Sequence, residues 1–175
     1  MLKFSKIVGL TVLALKEGRV MGHVHDVLVN LQHKYIESIC ILNTLERKQY
    51  LKLVDINLAD NKITISNKDI IKNLDNRIQT NKELLSSKRI LNKKVFTNKG
   101  DDVGRINDIY FDLDAGTLEA FEISDGIIQD ILSGRRIIPA IGDISLKEEG
   151  IFISKDAFEE IIESGKGLEN IFFNT

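Results

Sequence analysis

His23 and His25 are separated by one residue, and the chain's one cysteine, Cys40, follows in a later apolar run. Residues at i and i+2 share one side of an extended strand. A hairpin turning between the two runs would set His25 opposite Cys40, and two imidazoles with a thiolate begin a tetrahedral zinc site. A closed site needs a fourth ligand, and 82 residues later the chain offers Arg105, Asn107 and Glu122 instead, so exposed strand residues are the expectation. Asp112, Asp114 and Gly116 have the look of a calcium loop. The EF-hand pattern wants an acid or amide where Gly116 stands and its glycine where Thr117 stands. A hairpin turn accounts for these residues without an ion, because Asp114 can bond its own backbone and Gly116 can take positive φ. Cys40 lies between Ile39 and Ile41, which reads as a strand interior and an inert thiol rather than a nucleophile. No Gly-x-Gly-x-x-Gly, Gly-Lys-Ser/Thr or Gly-x-Ser-x-Gly motif occurs. The reading is therefore of a protein without catalytic residues, without a metal and without a cofactor.

Basic residues could contact nucleic acid. Lys88, Arg89, Lys93 and Lys94 form the densest cluster, with Arg47 and Lys48 a second. Aromatic side chains do not interleave with them and there is no tryptophan, so base-stacking platforms are missing. A solvated surface is the simpler reading.

The elements that would position these residues must come from 175 residues, enough for one domain or two small ones. Hydrophobic residues are 43% and charged residues 29%, an ordinary globular balance that excludes wholesale disorder. Net charge is −2, which argues against a dedicated non-specific nucleic-acid binder. Charge is uneven: residues 1–82 hold 13 Lys/Arg against 8 Asp/Glu, and residues 83–175 hold 11 against 18. One cysteine allows no intrachain disulfide, and the first residues lack the apolar stretch of a signal sequence, so a reducing cytoplasm is expected. No window approaches the roughly 18–20 apolar residues of a membrane helix, so no membrane insertion is expected.

The chain repeats itself. Val20–Asn30 aligns with Asp102–Asp112, and Ile36–Ile41 with Leu118–Ile123, both at an offset of 82. Asp55-Ile56 then aligns with Asp143-Ile144, and Ile63–Ser66 with Ile151–Ser154, at an offset of 88. Residues of β-branched type recur in short runs between turn-like residues, with no alternation of strand and long helix. That pattern favours small antiparallel barrels. Gly22 and Gly104 sit inside strand patterns, where glycine marks a bend, a bulge or a close backbone approach. Apolar parity changes between Val24 and Val27, and between Ile106 and Ile109. A one-residue bulge near Asp26 and Asp108 would restore the inward face, and each aspartate could bond amides that the bulge leaves unpaired. A helix is expected over 154–165, where Ser154 can cap and Gly165 can stop it, and a shorter one over 66–74.

The cores Gly22-His23-Val24-His25-Asp26 and Gly104-Arg105-Ile106-Asn107-Asp108, each followed by a turn and a second apolar strand, resemble the PRC-barrel family. Ile137-Ile138-Pro139-Ala140 before Gly142-Asp143-Ile144 is similar to that family's proline-ended strand; the first copy has Leu51 where Pro139 stands. The resemblance implies a mainly β protein of two tandem small antiparallel PRC-type barrels, each followed by a short helix. The expected limits are 1–75 for the first barrel, 76–87 for a linker, 88–165 for the second barrel and 166–175 for a tail. Gly22, Asp26, Asp55, Gly104, Asp108 and Asp143 are then structural motif residues. The family implies a binding or assembly module, found at the end of the ribosome maturation factor, in the photosynthetic reaction-centre H subunit and in small free-standing bacterial and archaeal proteins.

The expected function is thus a non-catalytic cytoplasmic module with a protein partner; an RNA- or ribosome-associated factor working through the basic first half is the alternative. Ile127, Ile128, Ile131 and Leu132 are inserted in the second copy and, with Phe172 and Phe173, are the expected interface, within the chain or in a homo-oligomer. Elemental analysis of the purified protein is expected to find neither zinc nor calcium at one ion per chain; a stoichiometric ion would promote His23, His25 and Cys40, or Asp112 and Asp114, to ligands.

Overall fold

The computed structural model describes residues 1–73, 83–124 and 136–154. Among them the protein is mainly β. The central hairpin of the first half is β3 (Arg19–Asn30) with β4 (Tyr35–Asn43), and that of the second half is β11 (Asp102–Asp112) with β12 (Thr117–Ser124). Each hairpin is long because one face of each strand is apolar and buried: Val24, Val27, Val29, Ile39 and Ile41 in one, Ile106, Ile109, Phe111, Phe121 and Ile123 in the other. Turn chemistry fits. Asp112 Oδ1 accepts the amides of Asp114 and Ala115, both at 2.9 Å, and Gly116 closes the turn at φ +74°. In the first half Asn30 Oδ1 accepts the His33 amide at 2.9 Å, and Lys34 takes the left-handed position at φ +55°.

Around each hairpin the same succession of strands recurs. β2 (Thr11–Ala14) lies beside β3 and carries β7 (Lys62–Ile65), which carries β6 (Ile56–Ala59); β5 (Lys48–Leu51) lies on the far side of β4. In the second half β10 (Lys94–Thr97) lies beside β11 and carries β15 (Ile151–Ile153), then β14 (Ile144–Leu146), with β13 (Arg136–Pro139) beyond β12. β2–β7 and β10–β15 are parallel pairs.

The halves meet at β4 and β12. Tyr35 pairs with Thr117, the Ile36 amide donates to the Gly116 carbonyl at 2.8 Å, and the Leu118 amide donates to the Lys34 carbonyl at 2.9 Å. Tyr35 thereby meets its counterpart 82 positions away, and the two flanking bonds interchange when the copies are interchanged (34 with 116, 36 with 118), which is a two-fold relation within one chain. The halves also exchange their leading segments. β1 (Leu2–Lys3) pairs with β11, and α1 (Phe4–Ile7) packs on that strand. Reciprocally, β9 (Leu84–Ser86) pairs with β3, and α2 (Ser87–Ile90) packs there. Apolar side chains of both halves form one contiguous buried cluster.

Three expectations need correction. The sheet does not close into barrels: its path runs open from β14 to β6. Alternation specifies which face of a strand points inward, but not which edges meet. The pairing is not purely antiparallel, since β7 and β15 return to the sheet in the direction of β2 and β10. Residues 66–73 form no α-helix; Lys68–Ile70 make a single 3-10 turn and β8 (Lys72–Asn73) pairs with β5. The β-branched Ile70 and Ile71 favour extension, and an open strand edge offers their neighbours backbone partners. The helix expected over 154–165 and residues 125–135 lie outside the described residues, Ser154 apart.

The exchange yields a test. Ile7 belongs to the first half in sequence and is fully buried. Ile7→Ala is expected to cost about 2–5 kcal/mol in urea unfolding. Hydrogen exchange should quicken in β10–β12 more than in β2–β4; a loss confined to the first half would contradict the exchange.

Candidate functional site

The densest polar chemistry lies where each hairpin is bulged. The β3–β4 register shifts between Val24 and Asp26, leaving His25 without a partner, and the β11–β12 register shifts between Ile106 and Asp108, leaving Asn107 unpaired. Both aspartates are buried. Asp26 Oδ1 accepts the Val27 amide at 2.8 Å, and Asp108 Oδ1 accepts the Ile109 amide at 2.9 Å. Each carboxylate also holds the exchanged segment. Ser5 donates to Asp108 through its amide at 3.2 Å and its hydroxyl at 2.5 Å. The Ser86 hydroxyl donates to Asp26, and the Lys88 amide donates to it at 3.4 Å. A buried carboxylate with this many donors is a structural clasp; removing the carboxylate would leave its donors unsatisfied.

The other motif residues are backbone positions. Gly22 is buried where β3 passes β4, and a Cβ there would run into the Leu42 carbonyl. Gly104 has φ +127°, which an L side chain rarely adopts, beside a register shift at Asp102. Asp55 ends a 3-10 turn over Leu53–Asp55, its amide donating to the Lys52 carbonyl at 3.1 Å. The Asp143 carbonyl accepts the Ser154 amide at 3.1 Å, and its side chain is exposed. Ile127, Ile128, Ile131, Leu132, Phe172 and Phe173 lie outside the described residues.

The zinc geometry considered for His23, His25 and Cys40 does not form. Asp26, not His25, stands opposite Cys40, because the bulge takes His25 out of register. His23 touches the Thr11 hydroxyl at 3.5 Å, and the His25 ring lies 3.1 Å from the Lys88 ammonium. Partial burial and the charges of Lys88 and Lys48 push His25 below its ordinary value, favouring the neutral ring. Among the described residues no group of three His, Cys, Asp or Glu could hold a metal ion.

At the place opposite the bulge, the second half carries Glu122 where the first carries Cys40. Glu122 is buried and paired with Lys3 at 2.5 Å; Asn107 donates to it at 2.6 Å and Tyr110 at 3.2 Å. Burial pulls Lys3 down, but its bonds to Glu122 and Tyr110 and the Glu122 charge outweigh this and raise it. Burial raises Cys40 and Tyr110, and pushes Tyr50, which contacts Cys40, up to about 12. A raised thiol is a poor nucleophile at neutral pH. Sequence reasoning missed this cluster, because Lys3 reaches Glu122 only through the exchange of β1. The available signal was Leu2-x-x-x-Lys6-Ile7 against Leu85-x-x-x-Arg89-Ile90.

Two clefts flank the two-fold. One, of about 660 Å³, lies between the β11–β12 turn and the Leu53–Leu58 segment of the first half. The other, of about 470 Å³, lies between Leu31 and Gln32 of the first turn and Asp143–Leu146 of the second half.

Cys40, Tyr50, Tyr110 and Lys3 all have folded values above their unfolded ones. Their contribution is fully present below the unfolded values and is lost as pH rises through the folded ones. Urea-unfolding stability is expected to decline from about pH 9 to about pH 12, and Tyr50→Phe should flatten part of that limb. A wild-type profile level to pH 12 would contradict the assignment.

Residues 82–159 match the model of the PRC-barrel domain. The uncharacterized protein YrrD of Bacillus subtilis (strain 168) is 41% identical over 46 residues, covering 26% of this chain and 26% of that protein. The match therefore spans about a quarter of that relative's length. The family segment contains β9, which is paired outside it with β3, while β1 takes the place beside β11. With its bulged hairpin, its proline-ended β13 and this match, the segment 82–159 is a PRC-barrel domain.

Proposed function

We propose that this protein is a non-catalytic binding and assembly module built from two related PRC-type units, working in the cytoplasm on a protein partner. The single observation carrying this reading is how the buried carboxylates are used. Asp26, Asp108 and Glu122 are all engaged in clasping strands, and each holds a segment from the other half. Carboxylates bound this way serve assembly rather than proton transfer, which needs a group facing a cavity and a substrate. The recurring strand succession and the two-fold pairing at Tyr35 and Thr117 support a duplicated origin for the units.

One observation favours the second reading, an RNA- or ribosome-associated factor. The Lys88 ammonium of α2 lies 3.1 Å from the His25 ring, and Lys48 of β5 pairs with Leu42, which pairs with His23, so exposed basic residues from two separate sequence clusters flank the same stretch of β3. Phosphate contacts from such a patch would weaken steeply with salt.

In-cell crosslinking of the tagged full chain separates the two. A defined protein crosslinked in near-equal amount and retained after ribonuclease treatment is the expected result. Recovery of RNA alone, with binding that falls about tenfold or more between 50 and 200 mM salt, would replace it with the second reading.

A further inference from the structure

The outer edge of β6 is open. β6 and β7 are joined by Asp60 and Asn61 at φ +50° and +56°, a two-residue turn that makes Ala59 and Lys62 a hydrogen-bonded pair. Alternation along the ladder makes Asn57 and Thr64 the next such pair, so the backbone groups of Leu58 and Ile56 point away from β7. The Ile56 amide is taken by the Leu53 carbonyl. The Leu58 amide and carbonyl and the Ile56 carbonyl remain directed outward, and among the described residues no strand pairs with that edge.

Ile56, Asn57 and Leu58 line the larger cleft. Its opposite wall is the β11–β12 turn with Leu113, and Val54 at its mouth is 89% exposed. Apolar side chains thus stand beside unpaired backbone groups, the combination that accepts an added strand. Charge selects among strands. Glu37 and Asp114 line the cleft against one cation, Lys52. The second cleft repeats the plan: Ile144 and Leu146 of β14 have their backbone groups outward, since Lys147 and Gly150 form the hydrogen-bonded pair, and Glu83 and Asp143 are its charged residues.

Resting on the binding-module reading, we propose that the cleft beside β6 docks an extended, Lys- or Arg-bearing peptide of a partner protein, which adds to the open edge as a further strand. Main-chain bonds to Leu58 and Ile56 hold it, Val54 and Leu113 cover its apolar side chains, and Glu37 and Asp114 take its cation.

The probe is a display library of 12-residue random peptides panned on the full chain. The expected enriched sequences alternate apolar residues and carry at least one Lys or Arg. A synthetic enriched peptide should slow exchange of the Leu58 amide about tenfold or more. Leu58→Pro would delete that donor but endangers the fold, so the exposed positions carry the test: Val54→Lys and Asp114→Lys should each weaken binding about fivefold or more with an unchanged circular dichroism spectrum. No enrichment overturns the proposal. So do peptides that protect another face and ignore both variants, an outcome that leaves the binding-module reading standing. If sedimentation shows the chain self-associating and Val54→Lys dissociates it, the cleft holds a second copy and the peptide proposal falls.

Discussion

Asp26 and Asp108 are the constraint on which the rest depends. Each is a buried carboxylate at a bulge, and each needs donors that its own hairpin supplies only in part. The adjacent amides of Val27 and Ile109 satisfy one oxygen. The remaining capacity is filled by a serine hydroxyl and a backbone amide from the leading segment of the other half. An unsatisfied buried carboxylate costs several kcal/mol. The halves are consequently tied at two equivalent points, and separating them would strand both charges. Lys3 adds a third tie through Glu122.

Much of the architecture follows from this clasp. The bulge turns the strand so that Val27, Val29, Ile109 and Phe111 continue the inward face. The exchanged strands β1 and β9 then lie on β11 and β3, and the hairpins meet edge to edge at Tyr35 and Thr117. That meeting brings each hairpin turn near the outer strands of the opposite half, which is how the two clefts arise. The strands at those clefts, β6 and β14, are the ends of the sheet path. The fold thus uses Asp26, Asp108 and Glu122 to join the halves and leaves the edges of β6 and β14 at the surface.

The hairpins could be read from local pattern. Asp112 and Gly116 are turn residues for reasons of reach and φ, and the parity change around Asp26 and Asp108 marks a bulge because side chains on a strand alternate strictly. Gly22 and Gly104 announce close approach and positive φ by lacking a Cβ. The short helix read over 66–74 failed because apolar spacing over nine residues cannot separate a helical turn from an edge strand, and β5 offered Lys72 and Asn73 a pairing edge. The zinc geometry failed on one residue of register, since the bulge that frees His25 also sets Asp26 opposite Cys40.

The sequence by itself determined a mainly β chain, the place of its bulges and turns, and the kinship of its second half. Those are local properties, set by side-chain alternation, by backbone freedom at particular glycines and by short motifs. Tertiary structure alone decided which half supplies the serine to each aspartate, that Lys3 finds Glu122 across more than a hundred residues, that β7 and β15 return in parallel and that the sheet stays open at β6 and β14. Both copies carry a leading segment with a serine and the same Leu, basic and Ile spacing, so each aspartate could be served by its own half or by the other. The choice lies in the free energy of the assembled core and two-fold contact, which no local stretch of sequence contains.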